Sequence, residues 1–153
     1  MNTKEKSVPN EFIELIKDIK RHEGFRPTVY KCTEGYDTIG YGFAIKDLDI
    51  DEDVADLILM KKLHTLLQRI SVAFPWFQDI DDIAKSVVIN MCYQLGLRGF
   101  SKFKKTIYLL ETNQYQEASI EMLDSLWAKQ TRNRAKELSE TLRSIDGHTQ
   151  SGT

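Results

Sequence analysis

The residues of this 153-residue chain that could do chemistry gather in residues 21–43, which read Arg-His-Glu-Gly-Phe-Arg-Pro-Thr-Val-Tyr-Lys-Cys-Thr-Glu-Gly-Tyr-Asp-Thr-Ile-Gly-Tyr-Gly-Phe. Glu23 stands immediately before Gly24, and glycine just past the last periodic residue is a common helix stop. An acid at that place is unexpected, because a helix C-terminus carries partial negative charge and disfavours a carboxylate by about a few tenths of a kcal/mol or more. The same field resists ionisation. It therefore helps to keep a carboxylic acid protonated, which is what a general acid needs.

The elements that must position Glu23 follow from the flanking pattern. On the N-terminal side, residues 1–9 are polar, lack periodicity and end in Pro9, which predicts a loose arm. From Asn10, a candidate cap, Phe12, Ile13, Ile16 and Ile19 repeat at helical spacing with Glu14, Lys17 and Asp18 opposite, so an amphipathic helix delivers Glu23. On the other side, two runs, 28–31 and 36–42, flank Cys32-Thr33-Glu34-Gly35 and predict a β-hairpin with a short loop. Gly40 and Gly42 alternate with Ile39, Tyr41 and Phe43. That pattern lets something approach one face closely: a ligand at a cleft wall, or another part of the chain in tight packing.

Beyond the hairpin, the acidic Asp51-Glu52-Asp53 run suits the first turn of a helix of about 20 residues carrying Val54, Leu57, Ile58, Leu63, Leu66, Leu67 and Ile70. That length could bridge two lobes. Phe74-Pro75-Trp76-Phe77 reads as a turn with a hydrophobic plug. From Asp81 a buried helix carries Ile83, Val87, Val88, Ile89, Met91, Cys92, Tyr93 and Leu95 and closes at Gly96. Asn90, Tyr93 and Gln94 interrupt its apolar surface, and the amides should be hydrogen-bonded or face a cleft. Three more helices are predicted: 100–110, with a basic face from Lys102, Lys104 and Lys105 that is either solvated or in contact with an anionic glycan or peptide; 117–127, with Ala118, Ile120, Met122, Leu123, Leu126 and Trp127 inward; and 133–145, before a polar tail from His148.

Composition narrows the function. With 41% hydrophobic and 29% charged residues the chain fits one globular unit able to bury a core. A net charge of −2 and a pI near 5.9 argue against a basic nucleic-acid binder. No stretch approaches the roughly 18 apolar residues of a membrane span, so no stable membrane insertion is expected, and the start of the chain lacks the apolar core of a signal peptide. Cys32 and Cys92 without CxxC spacing, and His22, His64 and His148 without ligand spacing, favour free thiols and no metal or other cofactor.

Glu23, then Cys32 after eight intervening residues, then Thr38 after five more, in Thr-Ile-Gly-Tyr-Gly, resembles the catalytic signature of the phage-type lysozymes, glycoside hydrolase family 24. Two further segments are similar to the family in the same order: Ile-Asn-Met-Cys-Tyr-Gln-Leu-Gly at residues 89–96 resembles its central helix, and Trp127-x-x-Gln130-x-x-Asn133-Arg134-Ala135 a downstream motif. The resemblance covers roughly residues 12–146. It implies a mainly helical α+β fold in one lysozyme domain: a β-lobe at about 24–50, helical parts at 10–23 and about 51–147, and a long helix joining two lobes with a cleft between.

The resemblance also implies hydrolysis of the β-1,4 bond between N-acetylmuramic acid and N-acetylglucosamine in peptidoglycan. By matched position Glu23 would be the general acid, Thr38 would position water or sugar, and Arg134 would pair with the acid, opposing the rise in pKa that an acid needs. Gly42, Tyr93 and Gln94 would support or contact substrate. Cys32 stands where the family has Asp or Cys. Glycosidases commonly use two carboxylates, whereas a free thiol is mostly neutral at pH 7. Cys32 would thus ionise as base or nucleophile, or merely orient a water, or mark a weakly active or inactive wall-binding relative. A hydrolase with Cys32 as nucleophile and His22 as base lacks a recognisable orienting third residue. The expected setting is that of an endolysin: a monomer made in the host cytoplasm, released by a holin-like pore, and acting on glycan strands in the periplasm.

Overall fold

The computed structural model describes residues 8–145. Most of the expected N-terminal arm and the tail from His148 lie outside the described residues; Val8 and Pro9 are exposed. The chain divides into two compact units, Met1–Ile58 and Leu59–Thr153. The described residues form an α+β fold, mainly helical with one small antiparallel sheet.

In the first unit, helix α1 spans Ile13–Glu23. The cap expected from Asn10 is not made: Phe12 stands at the helix entry without a side-chain cap bond, and Asn10–Phe12 form a 3-10 turn. The cause is Pro9, whose fixed φ of −50° and carbonyl, which accepts from Phe12 N–H at 2.9 Å, start the turn early. No residue of α1 is buried, so its apolar stripe finds no core of its own.

Strands β1 (Arg26–Lys31), β2 (Asp37–Gly40) and β3 (Phe43–Ala44) lie in that order in one antiparallel sheet. Tyr30 faces Thr38 and Lys31 faces Asp37 across the first ladder, and Ile39 faces Phe43 across the second. The run at 36–42 is therefore not one strand. Gly40 and Gly42, at φ 69° and 73°, take the chain through the left-handed region and fold β3 back on β2.

Helix α2 spans Glu52–Ala73, with Glu52 and Asp53 in its first turn as the dipole favours, and the division between the units falls inside it. The second unit continues through a 3-10 turn, Pro75–Asp79, that buries Phe77; Phe74 packs 5.5 Å from both Trp76 and Phe100, the predicted plug. Helix α3 (Asp82–Ser101) is capped by Asp81, whose carboxylate accepts from Ile83 N–H at 2.8 Å, and it kinks at Gly96 (φ 73°, ψ 163°). Ala84, Val87, Val88, Met91 and Cys92 share its buried face, whereas Ile83 and Tyr93 fall off that face and are exposed.

Helices α4 (Lys104–Glu111), α5 (Tyr115–Glu121), α6 (Leu126–Gln130) and α7 (Arg132–Arg143) complete the unit. Two boundaries differ from expectation. Phe100 belongs to the end of α3, where its buried ring stacks 6.3 Å from Phe103, and α4 starts only after Phe103. The single helix expected at 117–127 is broken because Ser125 is extended and caps α6, accepting from Ala128 N–H at 3.1 Å. The break turns Met122 and Trp127 inward and leaves Ile120, Leu123 and Leu126, all expected inward, exposed.

Candidate active site

Glu23 is the last residue of α1, and its chain stops because Gly24 takes φ 70°, ψ 151°, with its N–H donating to Lys20 O at 2.9 Å. Its carboxylate lies against the turn between β2 and β3. A Cβ added at Gly42 would fall 2.5 Å from Glu23 Oε2 and 3.2 Å from its Cδ, so only glycine leaves room for the acid where it stands. The close approach read from the glycine pattern is thus made by the chain's own acid at Gly42, and by the ring of Phe43 at Gly40.

Cys32 opens the loop between β1 and β2. Its carbonyl accepts from Gly35 N–H and its N–H donates to Tyr36 O, both at 2.9 Å. With Gly35 at φ 85°, this is a three-residue hairpin loop closed by a glycine bulge. The loop folds donors onto the half-buried thiol. The Tyr36 amide chiefly, with smaller help from the Glu34 amide and the Thr38 hydroxyl, pulls the Cys32 thiol below its ordinary range, while partial burial and the Glu34 carboxylate push the other way.

Thr38, on β2, is only 3% exposed and its hydroxyl donates to Tyr36 O at 2.9 Å. A hydroxyl carries one proton. Donating to a Cys32 thiolate therefore means giving up the Tyr36 carbonyl, so Thr38 couples the ionisation of Cys32 to the hairpin backbone. The first unit thus brings together two contacting sets, Glu23 with Gly42 and Cys32 with Thr38.

The second unit places the remaining candidates. On α3, Asn90 and Gln94 are four residues apart and so share a helix face. Arg134, from α7, donates through Nε at 2.9 Å and Nη2 at 2.6 Å to Asn90 Oδ1, and through Nη2 at 3.3 Å to Asn90 O. Gln94 Oε1 accepts from the indole of buried Trp127 at 2.8 Å. The two amides that interrupt the apolar helix are therefore paired with two residues of the downstream motif, Arg134 and Trp127. Asn90 was legible only as an interruption; its bonding to Arg134 could not be read from spacing 44 residues apart. Tyr93 is exposed and lines an open groove of about 440 Å³ with Lys61, Lys62, Thr65 and Arg69 of α2.

The basic face does not stand alone. Lys102, Lys104 and Lys105 border a groove of about 620 Å³ that Glu121, Asp124, Leu126 and Trp127 also line, so its charge is mixed. Cys92 is buried and burial pushes its thiol up to about 12, which removes it from any nucleophilic role near neutral pH. Both cysteines are free thiols. Among the described residues no helix is long and apolar enough to cross a membrane.

The acid at a helix end, the glycine-bearing small sheet and the helical unit define a lysozyme-type protein, and residues 20–143 match the phage lysozyme family, to which the chain belongs. It is 30% identical over 153 aligned residues to probable T4-type lysozyme 1 of Dictyostelium discoideum, covering 80% of this chain and 90% of that protein. Probable T4-type lysozyme 2 of the same organism is 28% identical with the same coverage. The pre-baseplate central spike protein Gp5 of Enterobacteria phage T4 is 27% identical over 155 residues, 82% of this chain and 27% of that protein. The family supports a lysozyme-like glycosidase activity with peptidoglycan as the substrate class.

Proposed function

We propose that this protein is a muramidase that hydrolyses the β-1,4 bond between N-acetylmuramic acid and N-acetylglucosamine, and that it serves host cell lysis as an endolysin. The observation that carries the reading is the Glu23 carboxylate seated on Gly42, in the same unit as the Cys32 loop. Glu23 gives its proton to the leaving glycosidic oxygen as the bond to the anomeric carbon breaks. Water adds to that carbon, oriented by Thr38 and Cys32; the thiolate form of Cys32, favoured by its amide donors, accepts the proton the water loses. Arg134, fixed by Asn90, is a supporting residue, and Tyr93 and Gln94 contact glycan. In the host the protein acts as a monomer, gathers in the cytoplasm and reaches the periplasmic wall through a holin-like pore.

The test is release of reducing ends from purified sacculi, together with loss of turbidity of permeabilised Gram-negative cells. Glu23→Gln should lower the rate by about 10²- to 10⁴-fold, the usual worth of a general acid. A variant that keeps most of the activity overturns the assignment. Binding to sacculi by the parent without release of reducing ends supports the alternative, a wall-binding relative in which a thiol replaced the second carboxylate.

A further inference from the structure

The chemistry assigned to Glu23 leaves the rings around it unused. Phe25 follows the acid by two residues, and Tyr41 and Phe43 flank the Gly42 that meets its carboxylate. The three rings form one strip: Phe25 and Tyr41 have centroids 5.5 Å apart, Tyr41 and Phe43 6.2 Å apart and nearly perpendicular. Two of the rings have a further contact on one side. Phe43 lies on Gly40, where an added Cβ would sit 2.8 Å from its Cδ2, and Tyr41 carries the Lys20 ammonium 5.4 Å from its ring centre. Yet Phe25 remains 63% and Phe43 46% exposed. Burying such a ring is worth about 1.5–3 kcal/mol, so the uncovered phenyl faces of Phe25, packed on Tyr41, and of Phe43, packed on Gly40 and Tyr41, are an apolar surface beside an acid that suits a flat partner.

We propose that Phe25 and Phe43 form a stacking platform for the apolar C–H face of an N-acetylhexosamine ring adjoining the scissile bond. This rests on the reading of Glu23 as the acid of a muramidase. A pyranose presents a flat C–H face and a rim of hydroxyl and acetamido groups, so it covers a phenyl ring while its polar groups stay wet. A phenyl ring offers no donor or acceptor to a peptide's amides, which favours sugar over peptide stem as the occupant. Phe25 lies two residues after the acid, and Tyr41 and Phe43 one residue to either side of the Gly42 that meets its carboxylate, so the strip sets where the glycan lies and not how its bond breaks.

The test measures binding of peptide-free N-acetylglucosamine oligomers by calorimetry, and kcat and KM on sacculi, for the parent, Phe25→Leu, Phe43→Leu and Phe43→Tyr. Leucine keeps apolar bulk and removes the flat face. Each leucine variant should weaken oligomer binding and raise KM about five- to tenfold, the scale of one aromatic contact, with kcat within about twofold and circular dichroism unchanged. Phe43→Tyr should bind as the parent does. Leucine variants that bind like the parent overturn the platform, as does a parent that binds only peptide-bearing fragments or no oligomer. A parent that binds oligomers through these rings but releases no reducing ends keeps the platform and overturns the reading of Glu23.

Discussion

The two units hold their residues in place by different means. In the first, Thr38 is the only buried side chain among the described residues, and it is polar. In the second, Ile70, Val87, Val88, Met91, Phe100, Leu110, Met122 and Leu142 are all but inaccessible and form one continuous core. The unit that carries Glu23 and Cys32 is positioned by backbone: a glycine stop after the acid, a glycine-bulged loop under the thiol and a two-glycine turn against the carboxylate. The helical unit fixes Arg134 and Gln94 by packing and by amide clamps above that core. Substitutions should therefore fail differently: stability first in the helical unit, placement of the acid first in the other.

The largest expected effect on stability is Phe100→Ala. It empties the space between Phe74 and Phe103 and should cost about 3–5 kcal/mol. Thermal unfolding should show the fall while kcat of the folded protein, measured well below Tm, stays near parent. A variant whose kcat falls with its Tm breaks the division of labour. Gly42→Ala is the converse. The new methyl must displace the flexible Glu23 carboxylate, and a φ of 73° costs about 1–2 kcal/mol in a residue with a Cβ. Activity should fall by about tenfold to a hundredfold, far more than the small shift in Tm would explain.

Gln94→Ala leaves the buried Trp127 indole N–H without its acceptor and should cost about 1–3 kcal/mol in denaturant unfolding. Gln94→Glu, which keeps an acceptor, should recover most of it. The smallest effect concerns alkaline pH. Cys92 ionises in the folded protein only at about 12, above the ordinary thiol value, so the folded state is favoured fully below pH 9 and loses that advantage as pH rises from about 9 toward 12. The fall in Tm over that range should be smaller in Cys92→Ala. An equal fall in both would mean that the buried thiol does not titrate with unfolding.

Much of this was legible in the sequence. Gly24 announced the end of α1 at Glu23, Cys32 and Gly35 bracketed the loop, and Asp51 to Asp53 marked the start of α2. The breaks at residues 102–103 and 122–125 were not, because neither holds a glycine or proline. They arise where Phe100 and Met122 are drawn into the core and the chain must turn to let them in, a tertiary demand that local propensity does not carry. In the site, spacing marked Glu23, Cys32 and Thr38. That Gly42 seats the acid, and that Asn90 holds Arg134, required the folded backbone.

The central claim is that Glu23 and the Cys32 thiol act together in glycan hydrolysis, and it is tested most directly by reducing-end release from purified sacculi against pH for the parent, Glu23→Gln, Cys32→Asp and Cys32→Ser. The account predicts an active parent, loss of activity in Glu23→Gln, and a parent rate that climbs with thiol ionisation below the ordinary thiol range, a limb that moves to lower pH in Cys32→Asp and disappears in Cys32→Ser. A Cys32→Ser variant as active as the parent across the whole range, or an inactive parent revived by Cys32→Asp, would contradict it.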